Sequence, residues 1–322
     1  MTKAIRIETT GGPEVMKYVD VEVGAPGPGE AQVRNHAIGL NYIDVYFRTG
    51  LYPQPLPAGI GLEAAGEVTA VGAGVTGLKV GDRVAYADRP PGSYAELRNM
   101  SVKPLVKLPR TISYETGAAM MLKGLTVQYL FHRTYKLHKG QTILFHAAAG
   151  GVGLIAMQWA KALGVTVIGT AGSEEKAALA RKYGCDHTIL YREENIVERV
   201  REITGGKMVP VVYDGVGKDT FQASLDCLQP FGLMVSFGNA SGAVAPMSLM
   251  ALKGSLYITR PSLMAHTANR ANLEEMSADL IRMVSSGKVK IEIDQRYRLG
   301  DVVQAHRDLE SRKTTGSTLL LP

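Results

Sequence analysis

The sequence predicts an α/β protein in two parts: a β-rich, barrel-like unit and a doubly wound parallel-sheet unit inserted into it. Three observations predict this. Short extended segments separated by Gly/Pro turns fill the chain before Ser113. Apolar strand segments then alternate with helical segments from residue 142 to residue 259. Between the first of those strands and its helix stands a run of small residues, Ala147-Ala148-Ala149-Gly150-Gly151-Val152-Gly153.

In the β-rich part, residues 4–8, 17–23 and 30–40 alternate or run apolar, and 63–71 and 81–86 read as further strands. Turns are marked by Gly11-Gly12-Pro13, Pro26-Gly27-Pro28-Gly29 and Pro90-Pro91-Gly92. Ser113 is placed to cap a helix from Tyr114, which continues as an apolar helix to Thr134. Strands are then expected at 142–146, 165–170, 187–190, 209–213, 232–237 and 255–259, with helices at 152–163, 173–183, 194–204 and 219–228 between them. This alternation implies βαβ units and a parallel sheet, and six strands is the number of a doubly wound dinucleotide fold. Helices at 272–285 and 300–311 and a last strand at 318–321 follow. The expected division is 1–123 with 263–322, interrupted by an inserted 124–262.

Composition narrows the class. The 322 residues are 45% hydrophobic and 20% charged, a normal globular mix. Two distant cysteines, Cys185 and Cys227, suggest neither a disulfide framework nor a thiolate cluster, which fits a reducing, cytoplasmic setting. No apolar stretch approaches the length of a membrane span, and the N-terminal residues have no secretory h-region. The net charge of +6 is spread out. Its densest cluster, residues 192–201, alternates Arg and Glu as an exposed helix face would.

The small-residue run carries the chemistry. Strand, tight turn and helix let the backbone approach a pyrophosphate, whose charge sits at the helix N-terminus. Gly150, Gly151, Val152 and Gly153 form this turn, with Ala148 in place of the first glycine of the usual pattern. An acidic residue at the end of the next strand would bind the ribose 2′-hydroxyl of NAD. Here that position reads Gly169-Thr170-Ala171-Gly172-Ser173, with no carboxylate. Ser173 can donate to a 2′-phosphate, and Lys176 lies one helical turn on, provided Glu174 and Glu175 point away. The ligand this pattern favours is NADPH.

Longer motifs resemble a family. Asn41-Tyr42-Ile43-Asp44-Val45-Tyr46-Phe47-Arg48-Thr49-Gly50-Leu51-Tyr52, Leu122-Lys123-Gly124-Leu125-Thr126, Val211-Val212-Tyr213-Asp214 and Gly254-Ser255-Leu256-Tyr257 join the glycine turn in this likeness. The layout resembles the medium-chain dehydrogenase/reductase superfamily, and within it the zinc-free, zeta-crystallin-like bacterial NADPH:quinone oxidoreductases. The resemblance implies a GroES-like catalytic domain and a Rossmann cofactor domain. Zinc enzymes of the superfamily place a Cys ligand where Asn41 stands, Gly-His-Glu where this chain has Gly61-Leu62-Glu63, and a four-Cys lobe near residues 88–93. Those donors are missing and the seven histidines are scattered, so no metal is expected. His36 and His146 read as satisfied structural histidines.

Without a Lewis acid, hydrogen-bond donors must steady the charge that develops as hydride arrives. The segment 41–52, read as a turn region, concentrates them in Asn41, Tyr46, Arg48 and Tyr52. The resemblance implies that Tyr46 and Tyr52 line the substrate site. It also implies cofactor contacts at Asn41, Tyr42 and Thr126 near the nicotinamide, and at Gly172, Ser173, Lys176 and Tyr191 around the adenosine phosphate. Phe237, Gly238, Asn239 and Ser241 follow the fifth strand, and Ser262 and Arg312 are further contacts the likeness implies.

The function these readings favour is hydride transfer from NADPH to a quinone without metal. An NADPH-dependent enone or alkenal C=C reductase of the same fold is the alternative. A remote alternative is binding of AU-rich RNA, which some relatives of the family resembled perform. The pI of 9.1 permits it, yet no basic–aromatic interleaved motif supports it. The short, apolar strand at 255–259 would lie at a sheet edge and invite pairing with a second copy, so a homodimer is expected.

Overall fold

The computed structural model describes all 322 residues, Met1–Pro322. The chain divides into two compact units, Met1–Leu125 with Thr267–Ala278 and Ile291–Pro322, and Thr126–His266 with Asp279–Lys290. This differs from the expected division by a few residues at its edges, 124–125 and 263–266, and by residues 279–290, which group with the second unit. Gln128 explains part of it, donating to Asp279 Oδ2 at 3.0 Å. Gln158 adds to it: its amide nitrogen donates to the Lys290 carbonyl at 2.9 Å and its oxygen accepts from the Lys290 amide at 2.8 Å.

The first unit begins with β1 (Thr2–Ile7), β2 (Lys17–Val21) and β3 (Glu30–Leu40). In β3 the buried positions alternate over Ala31, Val33, Asn35 and Ala37, and then Ile38 to Leu40 are buried on both faces. That pattern suits a central strand. Helix α1 (Tyr42–Thr49) follows at once. The reading of 41–52 as a turn is thus corrected. Asn41 is the N-cap, its backbone N–H donates to Asp44 Oδ2 at 2.9 Å, and Gly50 ends the helix at φ 83°. After α1 come β4 (Ala58–Gly59), β5 (Glu63–Val71), β6 (Arg83–Ala87), β7 (Leu97–Ser101) and β8 (Val106–Lys107). Helix α2 (Tyr114–Tyr129) then carries the chain into the second unit, ending in a π-helical turn over Leu130–Thr134 rather than continuing as the expected α-helix.

The second unit contains β9 (Thr142–Phe145), α3 (Gly151–Leu163), β10 (Thr166–Ala171), α4 (Glu174–Lys182), β11 (His187–Leu190), α5 (Ile196–Ile203), β12 (Val209–Asp214), α6 (Phe221–Asp226), β13 (Leu228–Ser236) and β14 (Tyr257–Thr259). All six strands are parallel, in the order β11-β10-β9-β12-β13-β14. This is the doubly wound order, with its switch point between β9 and β12. Leu144, Ile168, Ile189, Val212 and Met234, one from each of five neighbouring strands, meet in its core.

Helices α7 (Leu263–Thr267) and α8 (Arg270–Ser285) follow, then β15 (Ile293–Arg298), α9 (Val302–Glu310) and β16 (Ser317–Leu321). The last three complete the first unit. Strand β16 pairs antiparallel with β3, setting Leu319 opposite Gly39, and parallel with β15. The result is a seven-stranded sheet, β15-β16-β3-β5-β6-β8 with β7 also on β3, beside a three-stranded sheet β2-β1-β4. Leu299, Val302, Ala305 and Leu320 from the returning tail share a core with Ile5, Ile38, Phe47 and Leu62.

Candidate functional site

The small-residue turn lies at the carboxyl end of β9, against the switch point. Ala147 sits at φ 56°, a left-handed conformation costing a residue with a Cβ ~1–2 kcal/mol. Its carbonyl accepts from the Gly150 amide at 3.0 Å and would lie 2.4 Å from a Cβ on Gly153. Gly153 is therefore required for the helix to start so close to the strand. Gly150 is the N-cap of α3, so the first-turn N–H groups of Gly151, Val152 and Gly153 have no partner inside their helix. Backbone donors on a thirteen-residue helix dipole suit a pyrophosphate, and these residues fit one.

At the end of β10, Gly172 lies against Tyr191, and Ser173 follows directly with the Lys176 amide on its hydroxyl. A Cβ on Gly172 would lie 2.8 Å from the Tyr191 hydroxyl, so the two groups already touch. Ser173 is the N-cap of α4, its Oγ accepting from the Lys176 amide at 3.4 Å. That bond uses a lone pair and leaves the hydroxyl hydrogen able to donate. Glu174 pairs with Arg181, which also holds Thr188 Oγ1 at 2.7 Å. The Glu174 carboxylate is thereby engaged along α4.

Beyond β13, Gly238 packs on Gly215, whose carbonyl would stand 2.5 Å from a Cβ there. Phe237 lies 5.8 Å from Phe145, ring centre to ring centre. Asn239 faces Arg260 once its amide is oriented to accept, at 3.0 Å. Ser241 donates to the Val216 carbonyl at 2.9 Å and accepts from the Asp219 amide at 3.0 Å, so its hydroxyl ties two loops together. Ser262 is exposed just before α7, and Thr126 is buried within α2. Arg312 belongs to the first unit, exposed beyond α9 at φ 59°. Its charge reaches Tyr42, whose pKa burial raises and Arg312 opposes.

In the first unit, α1 presents an aromatic cluster. Tyr46 lies 5.8 Å from Tyr42 and 5.1 Å from Tyr52, and Tyr52 lies 5.7 Å from Phe47. Beneath it runs a buried polar chain. Arg48, 1% exposed, makes a bidentate pair with Glu310 at 2.8 Å, donates to the Gly11 carbonyl at 3.1 Å and reaches His306 Nδ1 at 3.0 Å. Because Arg48 only donates, His306 Nδ1 accepts, its Nε2 carries the hydrogen, and that hydrogen goes to Tyr94 Oη at 3.2 Å. Tyr94 in turn donates to Asp44 Oδ2 at 2.8 Å. Burial, aided by the Arg48 charge, pushes His306 down to about 3, so it stays neutral. Burial pushes Asp44 up to about 7, and its second oxygen has no partner.

Beside this chain Glu63 is fully buried, accepting from Asn41 Nδ2 and from the Leu122 amide, each at 2.7 Å, with the Lys123 ammonium at 3.5 Å. Burial raises its pKa and Lys123 opposes the rise. Asn41 also donates to the Gly39 carbonyl at 3.4 Å.

Residues 27–139 match the family described as alcohol dehydrogenase GroES-like domain, and residues 151–285 the family described as zinc-binding dehydrogenase. A quinone oxidoreductase of Pseudomonas aeruginosa is 56% identical over 325 residues, covering 100% of both chains. Quinone oxidoreductase 1 of Escherichia coli is 53% identical, again over 100% of both. The chain belongs to the quinone oxidoreductase family of medium-chain dehydrogenases/reductases. A crystal structure of the Escherichia coli quinone oxidoreductase complexed with NADPH superposes with a TM-score of 0.98 at 53% identity, covering 99% of this chain and 100% of that one. Another relative, a 2-haloacrylate reductase of Burkholderia sp., is 45% identical over 100% of this chain and 99% of its own.

This member of the family does not fit the zinc that the second match's description implies. Asn41 spends both amide hydrogens on Glu63 and Gly39, Leu62 is apolar and buried, and an ammonium stands against Glu63. No three His, Cys, Asp or Glu side chains gather as a metal-binding group. Two expected substrate-facing donors are also corrected. Arg48 is buried with its guanidinium committed, and Asn41 has no amide hydrogen left to give. Both position α1. Asp44, Glu63, Tyr94, Lys123 and His306 escaped the sequence reading. Only the Asn41/Asp44 spacing, a helix-capping pattern, pointed to any of them.

Proposed function

We propose that the chain is an NADPH-dependent quinone oxidoreductase that transfers hydride to a quinone without metal. The observation that carries this reading is the turn at 147–153 with an uncharged end of β10, set in a full-length likeness to a quinone oxidoreductase solved with NADPH. The nicotinamide supplies the hydride. The chain's own part begins with the first-turn amides of α3, which hold the pyrophosphate. Ser173, Lys176 and Tyr191 take the 2′-phosphate. Tyr46 and Tyr52 offer hydroxyls to the acceptor's oxygen as charge builds on it.

The second reading, reduction of an activated C=C bond, is favoured by the 45% identity to a 2-haloacrylate reductase. Both acceptors take hydride at a conjugated system. Steady-state turnover with NADPH and NADH against quinones, enones and 2-chloroacrylate separates them. Brisk quinone turnover with NADPH supports the first reading. Turnover of the acrylate or enones alone replaces it with the second.

The working unit of this proposal is a homodimer. Strand β14 ends the parallel sheet, with Tyr257 60% and Ile258 40% exposed. An apolar edge with unpaired backbone groups suits a two-fold copy of itself. No helix is long and apolar enough to cross a membrane, and the cytoplasm is the proposed compartment.

A further inference from the structure

The turn at 147–153 rests on a second buried chain. His146 is 1% exposed, with Nδ1 3.1 Å from Thr170 Oγ1 and Nε2 3.0 Å from Ser224 Oγ. Asp214 Oδ2 accepts from Ser224 Oγ at 2.8 Å and from Thr220 Oγ1 at 2.7 Å. Asp214 Oδ1 accepts from the amides of Val216 at 2.8 Å and Gly217 at 3.0 Å. Every direction follows from the carboxylate, which only accepts. Ser224 spends its one hydrogen on Asp214, so His146 Nε2–H donates to Ser224. His146 Nδ1 is then bare and accepts the Thr170 hydrogen. Thr170 Oγ1 keeps a lone pair, which accepts the Ala147 amide at 3.2 Å.

Thr170 thus holds two successive amides of the turn, Ala147 with its hydroxyl and Ala148 with its carbonyl at 3.0 Å. Ala147 is the residue in the left-handed conformation, so the bond falls where the backbone most needs a restraint. At its far end the same chain fixes the 215–217 loop, across the switch point from the turn. Burial lowers the pKa of His146 and keeps it neutral, the state the chain of donors requires.

We propose that Thr170, His146, Ser224 and Asp214 are positioning residues for the dinucleotide: their single-direction hydrogen-bond chain locks Ala147 and couples the pyrophosphate turn to the 215–217 loop. The proposal rests on the reading of this turn as the NADPH site. None of the four needs to touch the cofactor.

The test compares wild type, Thr170→Val, which keeps the shape and deletes the hydroxyl, and Thr170→Ser, which restores it. Amide hydrogen exchange over residues 147–150 is measured on the protein alone, and NADPH affinity by fluorescence titration. Loss of one net hydrogen bond predicts about tenfold faster exchange and about tenfold weaker NADPH binding in Thr170→Val, with kcat at saturating NADPH within about twofold. Thr170→Ser returns both to wild-type values. Ser224→Ala shifts both in the same direction and serves if Thr170→Val does not fold. Wild-type exchange and affinity in Thr170→Val overturn the proposal, as does failure of Thr170→Ser to rescue. Absence of NADPH binding by wild type sinks the cofactor reading instead, while the exchange comparison still decides whether the chain locks the turn.

Discussion

Tyr94 donates to Asp44 at 2.8 Å inside the first unit, and the other Asp44 oxygen is buried without a partner. This carboxyl is raised to about 7 by burial. Its folded-state pKa exceeds the ordinary ~3.9, so its contribution to stability is complete at low pH and is lost as pH rises through about 7. Asp44→Asn keeps an acceptor for Tyr94 and cannot ionise. The stability of this variant relative to wild type is expected to increase from about pH 5 to about pH 8, by up to ~2.6 kcal/mol if the shift acts in full. Thermal unfolding of both proteins across that range measures it. A gap that stays constant with pH means Asp44 is ionised throughout.

Arg48 and Glu310, 262 residues apart in sequence, anchor α1 to α9. Arg48→Met should cost about 2–3 kcal/mol, below the full penalty for breaking a buried pair, because water can reach Glu310 at 32% exposure. Since the guanidinium is spent within the fold, kcat well below the unfolding temperature should change little. Urea unfolding and steady-state rates check both halves. A large drop in kcat with unchanged unfolding would restore Arg48 as a donor to substrate.

These two pairs also show where the sequence was readable and where it was not. The pyrophosphate turn is local: strand, small residues and helix follow one another directly, and each has its own signature. The parallel sheet follows from strand–helix alternation for the same reason. The chain Arg48–His306–Tyr94–Asp44 joins residues separated by 258, 212 and 50 positions, and no periodicity records such contacts. Arg48 therefore read as an available donor when it is a buried brace. Helix α1 was missed although Asn41, Asp44 and Gly50 are capping residues, because a run of three tyrosines and a phenylalanine obscured its polar face. Residues 279–290 were assigned to the other unit because the glutamines that hold them carry no sequence pattern.

Cofactor preference can be inverted without damaging α4. Ser173→Ala would remove the helix cap, at ~1 kcal/mol, and confuse stability with binding. Ser173→Asp keeps a good cap and adds a charge where the 2′-phosphate would sit. NADPH KM is expected to rise at least about tenfold while NADH KM holds or falls, which amounts to about 1.4 kcal/mol or more of discrimination. Lys176→Ala should raise NADPH KM with little effect on NADH. Parallel losses for both cofactors in both variants would mean that the pocket does not read the 2′-phosphate.

Strand β14 offers only three residues for pairing, Tyr257 to Thr259, so one backbone change should break a dimer built on it. Ile258→Pro removes a ladder donor and clashes with an incoming strand. Ile258 also pairs with Met234 of β13, so part of the cost would be internal. Ile258→Lys avoids that by keeping the backbone and placing a charge at the 40% exposed position. Wild type is expected to sediment at twice its 34.6 kDa chain mass, and Ile258→Lys at the single mass with unchanged circular dichroism. A wild-type protein that sediments as a single chain at micromolar concentration would remove the dimer, and a dimeric Ile258→Lys would move its interface elsewhere.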